Sequence, residues 1–576
     1  MRRRPILGAA AAALAAVAVA AVLAAPPRTV ILDPGVWSPT SPWVTVPGGL
    51  HVHTTASDGS GTLDEVTSAA AAAGLAFVIV TDHADGTGVA GSEYRSGVLS
   101  IGGVEISSRD GHVLALGAGR APYPLGGDSR DVVEDVERLG GMTIAAHPDS
   151  PKPELAWQDP DVPTDGIEWV NLDSEWRKTP WWRAALAVLV YAARPAETVS
   201  SLIRRPDDLL ARWDEALGRR PVVALGAVDA HGHVGLFDQG DPARTRLFAL
   251  PLPSYESMFD ALKLYAVLEG PLTGEPAADG RAILDALRAG RVYTGVDGLA
   301  TPARFEFVAR TSDGVVPMGA SIREGPDAEL VVRTVAPEGA EVVVFRDGAE
   351  IERSAEHEVT LAAPAAGVYR VEVRWAPDGA PVPWILSNAI RIGPAAATAA
   401  AEGPAPATAQ RSLRQAEPEE RLYPRGGIGA WALEHDEFSG AAIDEIETAE
   451  RTALAYRFAL ATDTGDPPWT ALVRGLPARF TGASVLRFEA RADATMRVSV
   501  QVRAGERRWQ RSVYLDQDTR VFMLPLSEFR PVDAASAADA ITEATSLLFV
   551  VDTGNTAPGT AGIVFLERIQ LIVPES

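Results

Sequence analysis

Leu50-His51-Val52-His53-Thr54-Thr55-Ala56-Ser57-Asp58-Gly59 is the stretch on which the reading of this chain turns. Side chains on a strand alternate with period two, so imidazoles at positions i and i+2 share a face and can reach one ion. Asp58 follows in a turn of small polar residues. Thr62 and Glu65 then form a capping box that predicts a helix from about residue 63. A strand that delivers ligands at its C-terminal end and passes into a helix is one step of an α/β barrel, whose chemistry sits at that end. H-x-H alone is not specific, so the weight falls on the partners supplied downstream.

Those partners recur at strand ends. Leu75 to Val80 is a continuous apolar run of the kind buried on both faces, and it leads into Thr81-Asp82-His83. Val98 to Ile106 reads as a strand ending near Glu105, and His112 to Leu116 as one beginning with a histidine. The spacing of Val132, Val133, Val136 and Leu139 predicts a helix that stops at Gly140-Gly141, and Met142 to Ala146 runs into His147-Pro148. Gly166 to Asn171 and Val222 to Val228 are further strands, the latter leading into Asp229-Ala230-His231. Seven of the nine histidines lie between residues 51 and 233, a clustering that random placement would not give. Asp82, between two site residues, is expected on the opposite face. Strands alternating with helices predict a parallel sheet, most simply closed as a barrel.

Composition narrows the chemistry. The 576 residues allow three to four domains, and a net charge of −24 opposes binding to a phosphate backbone, so nucleic acid is not an expected partner. With no cysteine, disulfides, thiolate zinc sites and thiol nucleophiles are excluded, and any metal must be held by His and carboxylate. That donor set suits Zn, Mn or Fe.

The run H-V-H with S-D-G, then T-D-H, G-V-E-I-S, D-G-H, A-A-H-P and V-D-A-H-G resembles, in this order, the PHP (polymerase and histidinol phosphatase) metallohydrolases over residues 45–300. With E-W-V-N-L-D-S-E-W-R and the later P-W-I-L-S-N, the layout is similar to their exported, carbaryl-hydrolase-like branch. The resemblance implies an α/β fold, a distorted seven-stranded barrel, and two to three divalent ions. His51, His53, Glu105 and Asp229 would hold one ion. Glu105 would bridge to a second with His112 and His147, and Asp58, His83 and His231 would hold a third. Glu105, Asp229 and His231 are then the expected catalytic residues. Ions about 3.5–4 Å apart can clamp a phosphoryl oxygen and lower the pKa of water to about 7, which gives a hydroxide nucleophile without any serine or cysteine. A small-molecule ester is the expected substrate, a phosphoester first, with a carbamate or carboxylic ester as the alternative. A non-catalytic envelope or carbohydrate-binding protein is the reading from another class.

Further candidates are Arg109, Lys152 and Arg177 as counter-charges to an anionic substrate, His233 as donor to a leaving group, and Asn171 at the mouth. Arg109, Lys152, Arg177 and His233 are more readily ordinary surface charges or groups behind the ligands, and Asn171 is alternatively a turn cap. Thr179-Pro180 is expected to cap and open a helix from Trp181 to Ala193. His357 and His435 are expected to be structural.

The ends of the chain carry other signals. Arg2-Arg3-Arg4 precedes an uncharged run from Ile6 to Ala25, which makes residues 1–27 a signal peptide or membrane anchor and predicts a periplasmic, secreted or membrane-anchored protein. Residues 301–393 are expected to form a small β-sandwich, 394–425 an Ala/Pro-rich linker, and 426–576 a jelly-roll-like sandwich for which carbohydrate is one candidate ligand. All nine ligands precede residue 300, so the barrel is expected to stand without the β units.

Overall fold

The structure is a computed structural model that describes residues 25–572 apart from 34, 36, 40, 236–248, 378, 394–418, 425–426, 448–451, 463–465, 477–483 and 533–540. Most of the expected N-terminal leader and of the expected linker lies outside the described residues. No helix among the described residues is long and apolar enough to cross a membrane. The chain divides into two compact units. The first holds residues 1–119 and 133–400, and the second residues 120–132 and 401–576.

Seven strands of the first unit carry the candidate site. Val44–Val52, Phe77–Val80 and Val98–Ser108 pair in parallel, as do Met142–Ala145, Gly166–Asn171 and Val223–Ala227. Gly111–Leu116 is antiparallel to both of its neighbours, so the expectation of an all-parallel sheet is corrected to a mixed one. The reason is local. Only Arg109 and Asp110 separate Val98–Ser108 from Gly111–Leu116, and a two-residue link permits a hairpin but no crossover helix. The two ends of the run meet, since Val228 N–H donates to Leu50 O at 3.0 Å and His53 N–H to Ala230 O at 3.0 Å.

Alternation sorts the side chains into two cores. Phe77 and Ile79 join Leu50, Leu114, Ile144 and Leu225 in one cluster, closed by Ile283, Ala286 and Leu287 of the helix Pro276–Arg288. Val78 faces the other way, onto Val66 and Ala70 of the helix Leu63–Ala72. That helix has the expected capping box, with the Thr62 and Glu65 side chains each bonded to the other's backbone.

The lower half of Val44–Val52 pairs with Lys263–Leu268, and from there the sheet continues through Val292–Gly295 and Val382–Ser387 into Gly367–Trp375. Part of residues 301–393 therefore shares a sheet with the strands of the site, while Arg304–Thr311, Gly314–Pro317, Glu329–Val335 and Glu358–Ala362 form a separate four-stranded sheet. The Asn388 side chain bonds Ala224 N, Ala224 O and Val292 O, and Trp384 Nε1 donates to Ala300 O at 2.8 Å. A fragment ending near residue 300 would lose these partners. Glu372 is fully buried and bonds Arg205, Arg370 and Arg374, while Arg370 also grips Asp214 of the helix Asp207–Arg219 at 2.6 and 2.7 Å.

The helix Trp181–Tyr191 starts differently from expectation. Pro180 is its N-cap and accepts no side-chain bond there, while the Thr179 hydroxyl donates to Glu175 O at the end of the preceding helix. In the second unit, two six-stranded antiparallel sheets bury one core. Leu454 and Phe488 come from one sheet, Val500 and Phe549 from the other. Asp131 belongs to this unit, and its carboxylate lies 2.9 Å from the buried Arg497 and 3.0 Å from Arg511.

Candidate metal centre

Backbone conformation is unusual where the site is built. His51, His147 and Asp229 have φ of 68°, 32° and 48°, in the left-handed region that costs a non-glycine residue energy. At His51 the pairing register with Phe77–Val80 shifts, and Leu50 and Val52, two residues apart, fall into different cores. This kink lets Leu50 and His51 both point inward while His53 still shares the His51 side. Gly59 allows the following loop to fold back, because a Cβ there would lie 2.3 Å from His53 O. The Tyr255 hydroxyl accepts from Gly61 N–H at 3.1 Å and lies 2.9 Å from His53 O and 3.0 Å from His231 O, tying the two loops together.

Glu105 is at the middle. One carboxylate oxygen is 3.1 Å from His51 Nε2, 3.2 Å from His53 Nε2 and 3.3 Å from His83 Nδ1, and the other is 2.7 Å from His112 Nδ1 and 2.9 Å from His147 Nε2. Asp229 Oδ1 is 3.4 Å from both His51 Nε2 and His53 Nε2. Asp58 faces His53, His83 and His231 at 3.3, 3.6 and 3.3 Å. His51, His53 and Glu105 are essentially inaccessible, whereas the Asp58, His83 and His231 side chains are 31%, 33% and 20% exposed, so the latter group forms the outer edge.

The nine side chains fall into four overlapping groups whose ligand atoms lie within 4.8 Å of one another: His53/Asp58/His83/His231, His51/His53/Asp229, His51/Glu105/His147 and His83/Glu105/His112. His53 Nε2 is buried and makes no aligned hydrogen bond, although carboxylate oxygens surround it. A buried His53 Nε2 without an aligned hydrogen bond, among converging ring nitrogens and carboxylate oxygens, fits a shared cation, and imidazole with carboxylate is a donor set for a divalent ion. Burial disfavours the protonated form of His53, but Asp229 and Glu105 outweigh it and lift the pKa to about 10. Burial likewise opposes ionised Glu105, and the charge of His51 with hydrogen bonds from His112 and His147 holds its carboxyl well below the usual range.

Two groups that sequence reasoning missed orient this set. Glu168 is buried in Gly166–Asn171, 2.6 Å from His51 Nδ1, and accepts from His147 N–H at 2.7 Å. A lone acid in an apolar strand, Ile167-Glu168-Trp169-Val170, was the available signal. Tyr255 gave none. Asn171 both caps the helix Leu172–Lys178 and donates to Glu168 at 2.9 Å and Asp229 at 3.1 Å. Asp82 accepts from Thr54 and Ser57 and belongs to none of the four groups.

A pocket with about 550 Å³ of open space adjoins the centre at Asp229 and His231. His233, Trp176, Val188, Tyr191, Leu202 and Met258 are among its walls, and among the described residues its lining contains no Lys or Arg. Arg109 is exposed in the two-residue hairpin link and Lys152 half-buried in the loop after His147, while Arg177 pairs with Asp173. His357 and His435 belong to none of the four groups.

No family model matches the sequence, and no curated protein does. Among solved structures, the chain is similar to a two-domain protein containing a predicted PHP-like metal-dependent phosphoesterase from Bacteroides vulgatus, at 14% identity over 64% of this chain and 99% of that one, with a TM-score of 0.28. A family 11 carbohydrate-binding module from Clostridium thermocellum matches 28% of this chain and 98% of its own at 16% identity and a TM-score of 0.23. A family 29 module matches 27% and 88% at 12% identity and a TM-score of 0.18. Likenesses of this size assign neither family nor activity.

Proposed function

We propose that the chain is an exported metal-dependent hydrolase built on a distorted seven-stranded barrel of the PHP kind, with phosphoesters as its first substrate class. The observation that carries this is the Glu105 carboxylate with five imidazole nitrogens around its two oxygens, flanked by Asp229 and Asp58. With one oxygen facing His51, His53 and His83 and the other facing His112 and His147, Glu105 would contribute to holding more than one ion. Bound divalent ions supply Lewis-acid polarisation of the scissile group and acidify an attacking water. The residues divide the remaining work. Glu168 and Asn171 would fix His51 and Asp229 in place, and Asp58, His83 and His231 at the outer edge would hold an ion beside the pocket that adjoins Asp229 and His231.

A second reading, hydrolysis of a carbamate or carboxylic ester, is favoured by the pocket. A phosphomonoester is a dianion, yet among the described residues the lining contains no Lys or Arg and does contain Asp173. Aryl phosphate and aryl carbamate of matched leaving group separate the two. Turnover of the phosphate that falls on removal of Arg109 and Lys152 supports the first, and faster carbamate turnover indifferent to both substitutions supports the second. Loss of either activity with a chelator and its return with Zn, Mn or Fe is expected. A metal-free preparation that hydrolyses as well as the loaded one would sink both.

A further inference from the structure

The helix Trp181–Tyr191 exposes a face with no polar residue on it. Trp181 and Trp182 are 82% and 53% exposed and Leu189 is 43% exposed, and Ala185 and the C-cap Ala192 are exposed with them. At 100° per residue these five positions fall on one stripe, the side a surface helix normally fills with charge. Arg183 is the only charged residue in the helix. Exposed tryptophans on an apolar helix face are the composition of a membrane–water interface, where the indole ring is both apolar and a hydrogen-bond donor.

A second observation concerns where the described chain begins. The Pro26 carbonyl accepts from Arg194, three residues past the end of this helix, and Thr29 N–H donates to Glu197 at 3.4 Å. The uncharged sequence Ile6 to Ala25 thus joins the described chain beside the C-terminal end of the same helix. An anchor entering the bilayer there holds the membrane surface within reach of the stripe, because eleven residues of helix span only about 16 Å.

We propose that Trp181, Trp182, Ala185, Leu189 and Ala192 seat the helix in the headgroup region of the membrane that residues 6–25 enter, an inference that rests on the anchored reading of that segment. The flank beside the stripe, Ala187, Val188 and Tyr191, walls the pocket that reaches Asp229 and His231. The docked helix therefore places the mouth of the site at the bilayer.

The chain has no cysteine, so single cysteines can be labelled cleanly. Full-length Trp182→Cys, Leu189→Cys and the control Ile351→Cys, each carrying a fluorophore, would be reconstituted into phosphatidylcholine–phosphatidylglycerol vesicles with and without a lipid bearing a shallow nitroxide. Several-fold stronger quenching at 182 and 189 than at 351 is expected. If the chain floats with the vesicles but all three labels respond alike, docking is wrong and the anchor stands. If 182 and 189 are shielded from aqueous iodide yet untouched by the lipid nitroxide, a protein surface covers the stripe and the proposal fails. A chain that does not float removes the anchored reading and the docking with it.

Discussion

Glu105 serves five imidazoles with one charge, so its loss differs in kind from the loss of a group that only orients a ligand. Glu105→Gln should keep the fold and lower activity by well over the about 10–100-fold expected for an outer partner, without rescue by added metal. Glu168→Gln should cost about 10–100-fold in metal affinity and recover activity at high metal concentration. Metal content and melting temperature, read beside rate, separate these outcomes, and equal behaviour of the two variants would show that the roles are misassigned. His53 adds a pH dependence. In the metal-free chain its pKa of about 10 exceeds the roughly 6.5 of an unfolded histidine, so its contribution to stability is whole below about 6.5 and lost as pH rises through about 10. A divalent ion must displace that proton, so metal uptake between these limits should release protons and tighten about tenfold per pH unit for each proton displaced. Titration calorimetry at pH 8 in buffers of different ionisation enthalpy would show it, and an enthalpy independent of buffer would refute it.

Among elements, the strand Gly367–Trp375 is held to the helix Asp207–Arg219 by charge rather than by apolar packing alone. Glu372→Ala would leave Arg205, Arg370 and Arg374 facing one another, and should destabilise the first unit by about 3 kcal/mol, measured by denaturant unfolding. A change under about 0.5 kcal/mol would mean that water replaces the carboxylate. The same elements show what could be read beforehand. Apolar runs ending in His, Asp or Glu located the strands to within a few residues, because burial on both faces and a polar terminus are both written locally. The hairpin at Arg109-Asp110 was hidden by the assumption of a crossover. The inward turn at His51 was hidden because left-handed backbone at a histidine has no compositional mark. Glu168 was legible as an acid in an apolar strand, but only its neighbours give it a purpose.

At the scale of the whole molecule, chain order and body do not coincide. Residues 120–132 lie between site-bearing strands in sequence yet belong with 401–576, a partition that composition cannot reveal because it depends on pairings such as Asp131 with Arg497. Deleting 401–576 should therefore not be silent. It strips a buried carboxylate of two arginines, and a fall of several degrees in melting temperature is expected, whereas an unchanged transition would show the segment to be independent. The site has a comparable long-range dependence. His51 and His53 come from the end of the first strand of the run and Asp229 and His231 from just beyond the last, and they are brought together where Val228 bonds Leu50 and Ala230 bonds His51 and His53. The groups His51/His53/Asp229 and His53/Asp58/His83/His231 are complete only once the last strand of the run has met the first, so ions held there would load late in folding. If the chain crosses a membrane unfolded, as the proposed export requires, the metal it acquires would be set by the supply on the far side rather than by the ranking of intrinsic affinities.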